Sequence, residues 1–209
     1  IKNRITLIGC PKLDDGDSSE KLFMRALYEY AEKQFNSSLG YYDKAIEEAS
    51  QQEDISRMYE AFYRMNRGVL RAEMIEFIAS IESNVQVLSM DDAGTTRARV
   101  RDQIIRNYDY TDAINDMKAA AEIVDNLPYV YYNLGNLYCL SSEHINSIEN
   151  YTKAIELYPY MGDAYFNRGL VLIYLKDKEK GCIDLSRAGE FGVQDAYGVI
   201  KKYCEDETN

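Results

Sequence analysis

The chain has 209 residues, with 24 basic and 35 acidic side chains (formal charge −11), 19 Tyr, three Pro and no Trp. That length is enough to bury the core of one large domain or two small ones. The acidic balance argues against non-specific nucleic-acid binding and adhesion to anionic membranes, and no apolar run approaches the ~20 residues of a membrane helix.

Residues 1–18 read as a short extended piece, "ITLIG", and a turn-rich loop whose acidic cluster lacks the ligand spacing of a calcium loop. The chain opens at Ile1, as a trimmed or a processed precursor would, so the compartment stays open. Residues 19–52 then predict two short helices, "EKLFMRALYEYAEKQF" and "SSLGYYDKAIEEAS".

From about residue 55 to 88 one unusually long helix is expected. Leu70, Met74, Phe77, Ile78, Ile81, Val85 and Leu88 form one apolar stripe of helical spacing, with no Pro or Gly to stop it after Gly68. "MDDAGTT" breaks it, and "RARVRDQIIRNY" begins a further helical stretch that completes the 55–109 segment. Residues 110–124 then form a helix whose partner is either residues 95–107 or the segment around Asn66-Arg67-Gly68.

After residue 110 the text repeats. Tyr131 and Tyr165, Asn133 and Asn167, and Gly135 and Gly169 are each 34 residues apart; Ala113, Ser147 and Gly181 keep the interval, as do Met117, Tyr151 and Leu185, and Ala120, Ala154 and Ala188. A fixed alternation of small and large residues at that period means stacked two-helix units. Small residues let two helices cross closely, while Tyr131, Leu134 and Tyr138 form one face against Tyr151. A last helix over about 194–204 is placed to cap the exposed end.

These residues resemble the tetratricopeptide repeat (TPR) family. Residues 128–161 match its pattern with Tyr131 at the usual Trp position, then Leu134-Gly135, Tyr138, Ser147, Tyr151, Ala154 and Pro159; residues 162–195 match with Tyr165, Gly169, Leu172, Gly181, Leu185 and Ala188, with Arg168 replacing the usual leucine. The resemblance implies an all-α, right-handed helix-hairpin solenoid: a degenerate repeat at 19–52, an atypical long helix and insertion at 55–109, repeat helices at 110–195 and a capping helix at 194–204. It also implies a concave face lined by Tyr129, Tyr132, Asn133, Asn136, Cys139 and Leu140, then Asp163, Phe166, Asn167, Leu170, Ile173 and Tyr174. Rings bury apolar side chains and amides pair with backbone groups, so the expected partner is an extended peptide or a partner helix. No lysine stands among those positions, which argues against capture of a carboxylate-ended tail.

A second candidate surface is the arginine stripe Arg57, Arg64, Arg67 and Arg71, suited to an acidic partner, although Glu60, Glu73 and Glu76 lie close enough in sequence to neutralise it. His144 is the single histidine, expected at a surface turn with no nucleophile beside it. The four cysteines, Cys10, Cys139, Cys182 and Cys204, show no metal-ligand spacing and are expected as reduced, mostly buried thiols. The expectation is therefore a non-catalytic interaction scaffold without metal or cofactor. Self-assembly as a homo-oligomer through the long 55–88 helix is the alternative.

Overall fold

The computed structural model describes residues 18–51, 55–85 (side chains from 57 to 80) and 108–205. The expected N-terminal extended piece, Cys10, Leu88, the "MDDAGTT" break and the 95–107 helix lie outside the described residues, as do the side chains of Ile81 and Val85. Nine helices are described: α1 (Ser19–Ala31), α2 (Phe35–Ser50), α3 (Ile55–Val85), α4 (Thr111–Ile123), α5 (Pro128–Leu140), α6 (His144–Leu157), α7 (Gly162–Tyr174), α8 (Lys178–Glu190) and α9 (Asp195–Tyr203). They pair as hairpins α1/α2, α3/α4, α5/α6 and α7/α8, and each second helix then packs on the helix that follows it. The chain is an all-α stack of hairpins, as the 34-residue period requires.

Three hairpin turns share one geometry. Lys33, Ser142 and Lys176 take positive φ (58°, 61° and 68°), and the next residue's N–H reaches back to a carbonyl inside the first helix: Gln34 to Glu29 at 2.8 Å, Glu143 to Tyr138 at 2.8 Å, and Asp177 to Leu172 at 2.9 Å. That left-handed residue closes the helix and satisfies carbonyls its end leaves unpaired.

The partner of α4 is α3. At Gly68 an added Cβ would lie 3.0 Å from the Ala113 carbonyl oxygen and 3.1 Å from Met117 Cε, so the two backbones cross there as they do at Gly135 and Gly169. The core around this crossing joins Ala61 of α3, Ala113, Met117 and Ala120 of α4, and Val130, Leu134 and Tyr138 of α5. Among its described side chains, Leu70 to Ile78, the expected apolar stripe is buried only at its start. Leu70 is buried and Met74 half-buried, but Phe77 and Ile78 are 47% and 51% exposed. α3 has 31 residues against 13 in α4, so α4 can cover only part of it.

The cysteines correct the sequence reading. Cys182 of α8 and Cys204, just past α9, form a disulfide with Cα atoms 5.7 Å apart, while Cys139 is a free, half-buried thiol. A separation of 22 positions hides the pair in the sequence. The capping helix folds back over α8, where Ala196 is buried and the Tyr197 hydroxyl donates to the Gly189 carbonyl at 3.2 Å, and so brings the two sulfurs together. Among the described residues no helix is long and apolar enough to cross a membrane.

Candidate partner-binding groove

The expected groove residues divide by exposure. Tyr129, Leu140, Leu170 and Tyr174 are exposed at 56%, 47%, 37% and 70%, far above what large apolar side chains keep inside a core. Tyr132, Asn133, Asn136, Phe166, Asn167 and Ile173 are half-buried beneath them. Ile173 leans away from the opening: an added Cβ at Gly181 would lie 2.6 Å from its Cγ1, so its side chain packs over the α7/α8 crossing. Tyr174 is flanked by His144, whose ring stands edge-on to it with centroids 4.9 Å apart. His144 therefore packs at the start of α6 and is half-buried, not the open turn residue the sequence suggested.

Two of the three asparagines are already engaged. Asn167 Nδ2 donates to Asn136 Oδ1 at 2.9 Å and to the Tyr132 hydroxyl at 3.3 Å; the Tyr151 hydroxyl donates to the same Asn136 oxygen at 2.8 Å. This network ties α5, α6 and α7 into one floor. Burial pushes the Tyr132 and Tyr151 hydroxyls above their ordinary range, and burial raises the Cys139 thiol in the same way. Asn133 is the exception: its side chain makes no hydrogen bond among the described residues. Its donor and acceptor remain available.

The arginine stripe is not an open basic surface. Arg67 Nε donates to Asp116 of α4 at 3.0 Å while its Nη1 reaches Asp43 of α2 at 2.6 Å; Arg71 joins the same Asp116 at 2.7 Å, and Arg64 pairs with Glu60 one turn back at 2.7 Å. Arg57, exposed near the start of α3, has no carboxylate partner among the described residues. The register explains this. Arg67 precedes Gly68 as Arg168 precedes Gly169, and Arg168 likewise joins Asp184 of its own hairpin (2.7 Å) to Thr152 of the preceding one (2.9 Å). Burial pulls the Arg67 guanidinium down, but the bonds and charge of Asp116 and Asp43 leave it above its ordinary value. The echo of Asn-Arg-Gly was the sequence signal for this structural clasp.

Sequence reasoning missed a pocket of about 330 Å³ beside the groove, where the α6–α7 and α8–α9 turns face Tyr129 and Tyr132. Its extra walls come from Tyr158, Tyr160 and Phe191. Tyr158, Tyr160 and Phe191 stand at turns between helices, where no helical period marks them in the sequence.

No family model matches the chain. In overall structure it is similar to the crystal structure of MamA, with a TM-score of 0.60 and 17% identity, covering 88% of this chain and 83% of that one. It is also similar to a tetratricopeptide repeat protein from Parabacteroides merdae, with a TM-score of 0.62 and 13% identity over 90% of this chain and 61% of that one. The fold is that of the tetratricopeptide repeat. In sequence, 100 residues are 26% identical to the photosystem I assembly protein Ycf3 of Acaryochloris marina; they are 46% of this chain and 58% of the Ycf3 relative. In TPR terms α3, α5 and α7 are first helices of their units, and α9 packs on the second helix α8.

Proposed function

We propose that this TPR chain is a non-catalytic scaffold that holds a peptide segment or partner helix in the groove formed by α5 and α7. The observation that carries the reading is the pairing of an exposed apolar rim with a fixed polar floor. Tyr129, Leu140, Leu170 and Tyr174 stand exposed over the bonded Asn136–Asn167–Tyr132 set, and Asn133 keeps an unspent amide. A rigid floor lowers the ordering cost of binding, and exposed rings supply the area. The similarity to a protein named for assembling photosystem I is in keeping with a scaffold.

Selection of random dodecamer peptides on the immobilised chain tests it. The selected peptides are expected to bind at least about ten-fold more weakly to Leu170→Glu, because a carboxylate is then desolvated in an apolar contact. Asn133→Ala should also weaken them, whereas Ile183→Glu on α8 should not. Peptides indifferent to Leu170→Glu would overturn the reading.

One observation favours self-assembly as a second reading. Met58, Tyr59, Phe62, Phe77 and Ile78 leave five large apolar side chains exposed on α3. Light scattering of a diluted sample, with Phe62→Glu as the control, separates it: a dimer that the substitution dissolves supports assembly through α3, and a monomer removes it.

A further inference from the structure

The pocket beside the groove has walls made of rings. Tyr158 and Tyr160 meet edge to face with centroids 6.3 Å apart, and Tyr160 meets Phe191 at 5.6 Å with planes at 78°. Tyr129 and Tyr132 line the same space. Tyr158 is 43% exposed and Tyr160 68% exposed, so much of both rings stays open to solvent. Aromatic ring faces carry negative charge density, so a cation is attracted to whichever of these faces stay open to the cavity.

Among the described residues a single charged group lines the pocket, Asp163 in the first turn of α7, and no Lys or Arg does. The Asp163 carboxylate makes no hydrogen bond or ion pair among the described residues. The N-terminal end of α7 also lies here and acts against a cation, but it is worth only about half an elementary charge, which the full charge of Asp163 outweighs. The surroundings point the same way: residues 108–209 carry 9 basic and 17 acidic side chains, a balance of −8. An anion would meet Asp163 unscreened, and an aliphatic side chain would desolvate that carboxylate without pairing it.

We propose that this aromatic pocket is the anchor site for an arginine side chain of the segment held in the groove. The inference rests on the groove reading and specifies its partner: a segment carrying a basic residue where it crosses the inter-repeat turns. Arginine suits the site because a flat guanidinium stacks on a ring while donating in its own plane to a carboxylate.

The test uses two small probes, N-acetyl-arginine amide and its neutral isostere N-acetyl-citrulline amide, titrated into the full chain and followed by the ring-proton shifts of Tyr129 and Tyr160. The arginine probe is expected to bind about five-fold more tightly than the citrulline probe, the size of an exposed cation–ring and ion-pair contact. Asp163→Asn, at an exposed position, should remove that preference, and Tyr160→Ala should remove binding. Ile183→Ala, exposed on α8, should change neither. Equal binding of the two probes, a preference that survives Asp163→Asn, or no saturable shift at all would overturn the inference. Selected peptides that bind and respond to Leu170→Glu while the probes fail would sink the arginine site alone. Probes that behave as expected alongside peptides indifferent to Leu170→Glu would sink the groove alone.

Discussion

Gly135 is where the repeat is tightest. A Cβ there would sit 2.5 Å from the Tyr151 ring, and the Ser147 hydroxyl already donates to the Gly135 carbonyl at 2.8 Å across the same crossing. The first hairpin repeats the bond, Ser38 to the Ala26 carbonyl at 2.7 Å, so a buried serine can serve the crossing where alanine replaces glycine. Gly135→Ala should therefore destabilise the chain by roughly 1–3 kcal/mol through overpacking. Gly40, in α2 with nothing within 4 Å of an added Cβ, should respond in the opposite sense to Gly40→Ala, gaining about 0.5–1 kcal/mol from helix propensity. Urea unfolding of the two variants checks both signs. Tyrosine gives a pH prediction at the same scale. Burial comes first in holding the Tyr30, Tyr42 and Tyr151 hydroxyls above the ordinary value of 10.0. The unfolded chain then releases these protons before the folded one does. The stability they contribute is fully present below pH 10 and is lost as pH rises from there towards the folded values. Melting temperature should hold level through the neutral range and fall above about pH 10, and Tyr151→Phe should make the fall shallower.

Between helices the recurring device is the arginine before the crossing glycine. Asp116 and Asp184 are only 3% and 7% exposed at their side chains, so each needs its guanidinium partner. Removing Arg168 alone would leave a buried carboxylate, at a cost of about 3–5 kcal/mol. Arg168→Leu with Asp184→Asn recreates the Leu134 and Asn150 pair that the neighbouring unit uses, and should recover most of that loss. A double variant no more stable than the single one would show that the clasp does not work as a pair. This scale was partly legible in the sequence. The period placed Gly135, Tyr151 and Ala154 correctly because close packing fixes residue size at each crossing. It could not choose the partner of α4, since both candidate segments are helical in pattern and only packing distinguishes them. The free arginine stripe was misleading for a related reason: Arg64, Arg67 and Arg71 share one side of α3, but Asp43 and Asp116, which neutralise that side, lie 24 and 49 residues from Arg67.

At the scale of the molecule, α9, the last described helix, is tied to α8 by the Cys182–Cys204 bridge. Closing a 22-residue loop restricts the unfolded chain by about 3 kcal/mol in the chain-entropy picture. Cys204→Ser or reduction should lower the unfolding midpoint accordingly, with the loss concentrated in hydrogen-exchange protection of α9. Protection unchanged across α9 would mean that packing of Ala196 and Tyr197 alone holds the cap. The pocket was illegible beforehand because its walls come from two turns and a first helix, and periodicity describes helices only. The period marked α5 and α7 as first helices and the TPR resemblance named their candidate groove positions, but which of those side chains are bonded and which stand open depends on side-chain reach. Photo-cross-linking of a selected peptide tests most directly which face the stack offers to partners. A benzophenone side chain at position 170 in the groove is predicted to capture the peptide, and the same group at position 183 on the outer face of α8 is not. Capture through position 183 and none through 170 would contradict the account.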